Sequence, residues 1–130
     1  MMVDVKKLIE FANKERKKAY CPYSKYRVGA ALLCKDGSVV LGCNIENASF
    51  TVGICAERVA FSKAISEGKT EFIAVAIVGS TEKVPTPPCG ACRQFMTEFV
   101  DPDFLVIEAS PDGEYVERTI SELLPDKFVL

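Results

Sequence analysis

Two cysteines three positions apart are the first residues in this chain whose types and spacing could do chemistry. Cys89 and Cys92 follow Pro88 in the stretch Pro-Cys-Gly-Ala-Cys. If a helix begins there, both thiols lie on one face of its first turn, where the helix dipole lowers a thiol pKa. Such a pair can be a redox couple, half of a metal site or a coincidence. The pair alone does not distinguish these readings.

A second segment, Cys55-Ala56-Glu57, favours the metal site over the other two interpretations of the cysteine pair. Taken singly, Cys55 would be interpreted as a small buried apolar residue. Glu57 would be interpreted as a carboxylate that interacts favourably with a helix N-terminus. Taken together with the later pair, the segment supplies a third thiolate. Three protein ligands and one open position are typical of catalytic zinc, whereas structural sites are closed by four. Histidine cannot supply a ligand here because the chain contains none.

Glu57 and Arg58 have possible roles beside such a site. Positions i and i+2 do not share a helix face, so Cys55 must ligate from the very start of its helix if Glu57 is to reach the same pocket. A carboxylate near a metal-activated water can act as general acid and base. Arg58 is either a surface residue or a hydrogen-bond donor that offsets the negative charge of three thiolates. Spacing leaves both readings of Arg58 open.

Hydrophobic periodicity and turn signals predict the elements that must position these residues. The Asp36-Gly37 turn predicts a hairpin, and the continuous apolar run 72–78 predicts a strand buried on both faces. The helix over 89–100 is expected to direct Phe95, Met96, Phe99 and Val100 inward. The predicted helices are 4–19, 55–67, 89–100 and 120–124, and the predicted strands are 27–34, 38–43, 72–78, 104–108 and 114–118.

This order of elements predicts an α/β fold, a three-layer α/β/α sandwich around a mixed five-stranded sheet, as one domain over residues 1–130. Both cysteine segments would then lie at the edge of the sheet where open α/β folds place their sites. The other cysteines have no paired spacing and are predicted to be core or incidental: Cys21, Cys34 and Cys43.

The composition argues against some classes of binding partner. The net charge of −2 and pI near 5.2 argue against a nucleic-acid binder. The basic run 14–18 is interpreted as a solvated helix face. No signal peptide or spanning segment is expected, which favours a cytoplasmic location with reduced thiols.

Several stretches resemble the cytidine deaminase family, in its small homotetrameric class with three zinc-binding cysteines. They extend from about residue 19 to residue 128: YCPYSKYRVGAALL, GCNIENASF, CAER, PCGACRQ and ELLP. The zinc deaminases carry a Pro-Cys-x-x-Cys pair and a glutamate two positions after the other ligand, and three cysteines are an allowed ligand set.

The resemblance implies a role for each matching residue. Cys55, Cys89 and Cys92 would bind Zn²⁺, Glu57 would move protons, and Arg58 would hydrogen-bond the ligand cysteines. Residues for the substrate would be Asn44 and Glu46 on the ribose, a backbone contact from Ala56 on the pyrimidine, and aromatic walls from Tyr26, Phe50 and Phe128. Phe50 and Phe128 would close the pocket partly from neighbouring subunits. Tyr26 departs from the family's phenylalanine.

The expected activity is hydrolytic deamination of free cytidine and 2′-deoxycytidine in pyrimidine salvage. Four alternatives stand beside it: a deaminase of another aminated pyrimidine such as blasticidin S, a nucleic-acid editing deaminase, a thiol–disulfide oxidoreductase, and a non-catalytic zinc module. Asn44 and Glu46 favour an ordinary nucleoside over the first, and the acidic composition argues against the second. The open ligand position and Glu57 argue against the last two.

Overall fold

The computed structural model describes residues 3–130, which form four α-helices and one five-stranded sheet. The helices are α1 (Val5–Arg16), α2 (Ala56–Ser66), α3 (Gly90–Thr97) and α4 (Ile120–Leu123), with a 3₁₀ turn at Phe50–Val52. The strands are β1 (Gly29–Cys34), β2 (Val39–Cys43), β3 (Phe72–Val78), β4 (Leu105–Ala109) and β5 (Tyr115–Thr119).

The sheet has the order β2-β1-β3-β4-β5 and is mixed. Only β3 and β4 pair in parallel, while the three other pairings are antiparallel. One face packs against α1, through Leu8, Ile9 and Ala12. The opposite face packs against α2, α3 and α4. The predicted three-layer sandwich around a mixed five-stranded sheet is therefore confirmed.

The central strand β3 explains why two cores form. Val75 and Ile77 enter the core on the α2 side, whereas Ala74, Ala76 and Val78 enter the core under α1. All five are fully buried, as expected for a strand covered on both faces. The predicted bounds of this strand are confirmed.

Helix α2 lies unusually close to β2. A Cβ atom on Gly42 would come within 3.0 Å of the Ala56 carbonyl oxygen and the Ala60 amide nitrogen. Ala56 and Ala60 are themselves fully buried. Small residues on both sides therefore let two backbones touch, which places the N-terminus of α2 firmly against the edge of the sheet.

Some predicted bounds are wrong. Helix α1 ends at Arg16. Residues 17–19 form a turn, in which the Ala19 N–H donates to the Arg16 carbonyl at 3.1 Å. Helix α3 ends at Thr97, because the Phe99 N–H bonds to the Met96 carbonyl at 3.0 Å in a tighter turn. Met96 is buried as predicted, but the turn leaves Phe99 36% exposed rather than inward.

The remaining bounds shift by one or two residues, which is the usual scatter at element ends. The 3₁₀ turn and the two isolated bridges, Tyr20–Ile45 and Ile45–Ile54, were not predicted. Among the helices of residues 3–130, none combines the length and apolar character that crossing a membrane requires.

Candidate zinc centre and substrate cavity

Two helix N-termini carry the predicted ligand residues. Cys55 is the N-cap of α2 (φ −75°, ψ 156°) and Cys89 is the N-cap of α3 (φ −70°, ψ 166°). Both have extended backbone, and neither thiol makes a capping hydrogen bond to a backbone N–H of its helix. Cys92 follows in the first turn of α3. An N-cap residue projects differently from the helical positions after it, so Cys55 and Glu57 can reach one space.

The three sulfur atoms form a compact triangle. Their Sγ atoms all lie within 4.8 Å of one another. The Cys55–Cys89 separation is 3.8 Å and the Cys89–Cys92 separation is 3.4 Å. A tetrahedral zinc ion with metal–sulfur bonds of about 2.3 Å places its sulfur ligands about 3.8 Å apart. The donor set therefore fits Zn²⁺ in type, number and spacing.

The thiols share protons in a way that favours a thiolate at Cys55. A hydrogen bond from Cys92 lowers the pKa of Cys55, and Arg58 and Cys89 act in the same direction against the effect of burial. The pKa of Cys92 is raised, first by the same bond to Cys55 and then by burial. Because metal ligation requires deprotonated thiols, a cation of suitable size would displace these protons.

Arg58 lies against the ligand cluster rather than on an open surface. Its Nη2 donates to Cys55 Sγ at 3.6 Å, and this bond raises the pKa of the guanidinium. Its Nε is buried and has no hydrogen-bond partner within residues 3–130. The positive charge therefore lies where three thiolates would concentrate negative charge.

Glu57 is buried in the first turn of α2, with 3% of its surface exposed. Burial raises the pKa of its carboxyl to about 7, and the neighbouring Cys55 charge adds to this, while its own backbone N–H and the Cys92 thiol lower it. A carboxyl group with such a pKa can both accept and release a proton near neutral pH.

A cavity of about 540 Å³ opens beside the cluster. It extends from Cys55 and Arg58 to Asn44 and Glu46, with Tyr23 and Phe50 among its walls. The volume lies within the range usual for small-molecule sites. A nucleoside-sized ligand in this cavity would extend from the cluster to the Asn44 and Glu46 side chains.

Hydrogen bonds hold Asn44 and Glu46 in fixed positions. Asn44 Oδ1 accepts from the Val28 N–H at 2.9 Å, and its Nδ2 donates to the Tyr26 carbonyl at 2.9 Å. The Glu46 carboxylate accepts from the amides of Tyr23 and Ser24 at 3.0 and 3.1 Å. An amide and a carboxylate bonded in this way still have hydrogen-bonding capacity for a ligand.

Ser24 and Tyr23 are site residues that sequence reasoning missed. The Ser24 hydroxyl also donates to Glu46 and lowers the pKa of that carboxyl. The contact of residues 23 and 24 with a residue more than twenty positions away had no local signal in the sequence. Tyr23 adds an edge-on contact with Phe50, with ring centroids 5.6 Å apart.

The remaining predicted substrate residues occupy three different situations. Ala56 is fully buried beside the cluster. Phe50 lines the cavity but is 76% exposed, and Phe128 is 69% exposed and does not line the cavity of its own chain. Tyr26 does not line the cavity either, and its hydroxyl is directed towards Gly79. Cys21, Cys34 and Cys43 lie outside the sulfur cluster.

Comparison with known proteins agrees with this geometry. Residues 2–108 match the family described as the cytidine and deoxycytidylate deaminase zinc-binding region. The chain is 51% identical over 126 residues to a cytidine deaminase of Halalkalibacterium halodurans, covering 97% of this chain and 95% of that one. It is 48% identical to a cytidine deaminase of Sporosarcina psychrophila, with 97% and 92% covered.

A solved structure shares the whole fold. The crystal structure of a cytidine deaminase from Burkholderia pseudomallei superposes with a TM-score of 0.92 at 46% identity, covering 98% of this chain and 100% of that one. The predicted Zn²⁺ cofactor is confirmed by the zinc-binding family match together with the three-cysteine cluster. The chain therefore belongs to the cytidine deaminase family and has the three-cysteine form of its zinc site.

Proposed function

We propose that this protein hydrolyses cytidine and 2′-deoxycytidine to uridine and 2′-deoxyuridine with release of ammonia, as part of pyrimidine salvage. One observation carries the proposal: the buried Glu57 carboxyl lies beside a triangle of zinc-ligating sulfurs that opens into a nucleoside-sized cavity. The membership of the cytidine deaminase family supports it.

The metal would be held by Cys55, Cys89 and Cys92, each presented by a helix N-terminus. When bound, Zn²⁺ supplies a Lewis acid that lowers the pKa of water and so generates a nucleophile at neutral pH. Three thiolates reduce this effect by adding negative charge. Arg58 and the two helix dipoles offset part of that charge.

Glu57 is proposed as the group that moves protons. Its carboxylate accepts a proton from the attacking water and delivers it to N3 of the pyrimidine as C4 is attacked. The hydroxyl group now on C4 then gives its proton to Glu57, which passes it to the amine on C4, so ammonia leaves and the carbonyl of uridine forms. A pKa of about 7 suits both steps, because neither protonation state of Glu57 is strongly preferred at neutral pH.

The substrate would be fixed by groups at the other end of the cavity. Asn44 and Glu46 are proposed to hold the ribose hydroxyls, since both line the cavity and retain hydrogen-bonding capacity. The backbone of Ala56 would contact the pyrimidine. The Tyr26 ring is proposed as an aromatic wall, which requires it to approach a cavity that it does not line here. These interactions position the base over Glu57 and the metal.

The assembly proposed is a homotetramer with active sites shared between subunits. Phe50 and Phe128 support it, because both rings are largely exposed in one chain although aromatic rings usually bury most of their surface. A neighbouring subunit would bury them and close the cavity. A free nucleoside is the proposed partner rather than a nucleic acid. A cytoplasmic location and one domain over residues 1–130 complete the proposal.

The decisive experiment combines a zinc assay with the fall in ultraviolet absorbance as cytidine becomes uridine. The expected result is about one zinc per chain, as three ligands and an open position imply, with activity lost on strong chelation and regained with Zn²⁺. Parallel assays with 2′-deoxycytidine, blasticidin S, single-stranded DNA and an insulin-type disulfide separate the alternatives. Metal-free protein with full activity would refute the mechanism.

Glu57→Gln tests the proton transfer. The variant should retain zinc and lose about 10²- to 10⁴-fold in kcat, the usual size of a general acid–base contribution. Glu117→Gln, an exposed carboxylate on β5, serves as the matched control and should remain active. Undiminished turnover of Glu57→Gln would show that another group moves the proton.

A further inference from the structure

The loop that leads into Cys89 runs beside the segment that supports the substrate cavity. Residues 79–88 connect β3 to the ligand pair, and residues 23–28 precede β1. The Arg27 N–H donates to Ser80 Oγ at 2.7 Å, and that hydroxyl donates back to the Arg27 carbonyl at 2.8 Å. The two segments are thus joined directly.

The Tyr26 hydroxyl lies in the same junction. Burial raises the pKa of Tyr26, but the neighbouring side chains of Thr81 and Thr86 and the loop backbone outweigh it and lower the pKa overall. These neighbours all belong to the loop over residues 79–88. The polar end of Tyr26 therefore belongs to the 79–88 loop rather than to the substrate cavity.

Gly79 shows how closely these groups meet. A Cβ atom on Gly79 would lie less than 3.0 Å from both the Tyr26 hydroxyl oxygen and Thr86 Oγ1. Real Cβ atoms essentially never approach so closely, so a side chain at position 79 would require the two hydroxyls to move apart. Thr86 Oγ1 is buried and, within residues 3–130, has no hydrogen bond of standard geometry. A buried hydroxyl of this kind requires a partner.

We propose that the Tyr26 hydroxyl pairs with Thr86 over Gly79 and positions the loop that presents Cys89. The backbone of Tyr26 already accepts a hydrogen bond from Asn44 Nδ2 at 2.9 Å. Tyr26 consequently links the wall of the substrate cavity to the metal-ligand loop, and the two sides of the site keep a constant separation. Tyr26 acts here as a positioning residue through its hydroxyl, independently of its ring.

This inference goes beyond the proposed function, which concerns the ring alone, and its main readouts do not require catalysis. Tyr26→Phe retains the ring and removes the hydroxyl, while Thr86→Val retains the branched shape and removes Oγ1. Tyr115→Phe on β5 is the matched control, because it removes a hydroxyl from a ring that is exposed. The zinc-loaded protein is used throughout.

Two measurements follow loop positioning: hydrogen–deuterium exchange of the amides in residues 79–88 and the rate of zinc transfer to a chelator. Losing one hydrogen bond should increase each rate about 2- to 10-fold in Tyr26→Phe and in Thr86→Val. The double variant should be no worse than the more affected single variant, because both substitutions remove the same bond. Unchanged exchange in Tyr26→Phe, or additive effects, would overturn the proposal.

Gly79→Ala provides a test by suppression. In the native background the added methyl group should displace the loop and accelerate zinc release. In a Tyr26→Phe, Thr86→Ala background the two hydroxyl oxygens are gone and the Cβ atom of position 86 remains at 3.1 Å. The same substitution should then change the release rate less than about 2-fold, below the loss of one hydrogen bond. Equal damage in both backgrounds would show that the hydroxyls do not define the space over Gly79.

The outcomes separate this inference from the proposed function. If zinc release and amide exchange respond as expected but cytidine is not deaminated, the proposed substrate is wrong and the pairing of Tyr26 with Thr86 is supported. If cytidine is deaminated and neither rate responds, the proposed pairing is wrong. For active protein, Tyr26→Phe should lower kcat together with faster zinc release, because the displaced loop carries a metal ligand.

Discussion

The ligand cluster and the two rings proposed to close the cavity, Phe50 and Phe128 (called the rim below), differ in how far one chain buries them. In the cluster, Cys92 is fully buried and Glu57 is 3% exposed, and both contact groups of the same chain. At the rim, Phe50 and Phe128 are 76% and 69% exposed. One chain therefore assembles the groups for the chemistry, but leaves the groups that would enclose the substrate uncovered.

The difference has a physical origin in the elements that carry each set. The cluster lies at two helix N-termini packed against the sheet, where backbone contacts at Gly42 and full burial of Ala56 limit movement. The rim lies on a single 3₁₀ turn and on the segment after α4. Neither ring packs into the hydrophobic core, so both remain available to a second surface.

The largest expected effect is on the cluster. Cys92→Ala should weaken zinc binding more than about 100-fold, because even groups that only support metal ligands contribute 10- to 100-fold, and activity should fall with it. Zinc content after dialysis against a chelator measures this. Cys34→Ala, a buried thiol outside the cluster, is the control and should retain zinc. A Cys92→Ala protein that held zinc tightly would break the assignment of three thiolate ligands.

The next effect concerns the helix that carries Cys55 and Glu57. Gly42→Ala should lower stability by about 1–3 kcal/mol through overpacking against α2, and the activity of the folded fraction should also fall. Gly29→Ala is matched to it, since its Cβ would meet the backbone of α1 on the opposite face. It should lower the melting temperature without lowering kcat. Equal kcat losses would mean that α2 has no special role in placement.

A smaller effect is expected at the rim. Phe50→Ala should leave zinc content unchanged and raise KM about 10-fold, since a well-buried aromatic contact can contribute more than 1 kcal/mol. Activity should also depend more steeply on protein concentration, and sedimentation should show weaker association. If KM and association were both unaffected, the rim would not be an intersubunit surface, and the contrast with the cluster would disappear.

The smallest effect is a pH dependence of stability at Glu108, a residue outside both regions. Burial raises the pKa of Glu108 on β4, partly offset by Arg118 of β5 and Arg93 of α3. Its folded state therefore binds the proton more tightly than the unfolded state does, so this residue's contribution to stability falls as pH rises above about 4. Glu108→Gln should gain stability relative to the native chain as the pH rises above about 4, the pKa of the glutamate in the unfolded chain.

Chemical unfolding of the native and Glu108→Gln chains at several pH values measures that difference. Glu114→Gln, on the exposed turn before β5, is the control and should track the native chain. A constant difference across pH would show that Glu108 ionises alike in both states. Zinc content should not change in either variant, which keeps this effect separate from the cluster.

Local pattern predicted much of the fold and of the cluster. The run 72–78 is apolar throughout, so its burial on both faces followed directly, and its bounds are confirmed. The Asp36-Gly37 turn likewise predicted the β1–β2 hairpin, which is confirmed. The end of α3 could not be predicted, because Phe99 continues the apolar period while the chain turns towards β4.

Contacts between distant residues had no signal in the sequence pattern. The hydrogen bonds from Tyr23 and Ser24 to Glu46 join segments that the fold alone brings together. The same holds for Gly79, which has neither a positive φ nor a turn to mark it. The hydroxyls of Tyr26 and Thr86 occupy the space that a side chain at this position would take.

The amino-acid sequence by itself determined the kind of chemistry: three cysteines, a glutamate two positions after the first, and no histidine allow a thiolate zinc site with an acid–base carboxyl. These are properties of residue type and short spacing. Tertiary structure decided the sulfur separations, the burial of Glu57, the placement of Arg58 and the direction of the Tyr26 hydroxyl. Each of these features depends on how the helices pack against the sheet. Packing between distant residues sets that arrangement, whereas local spacing in the sequence does not.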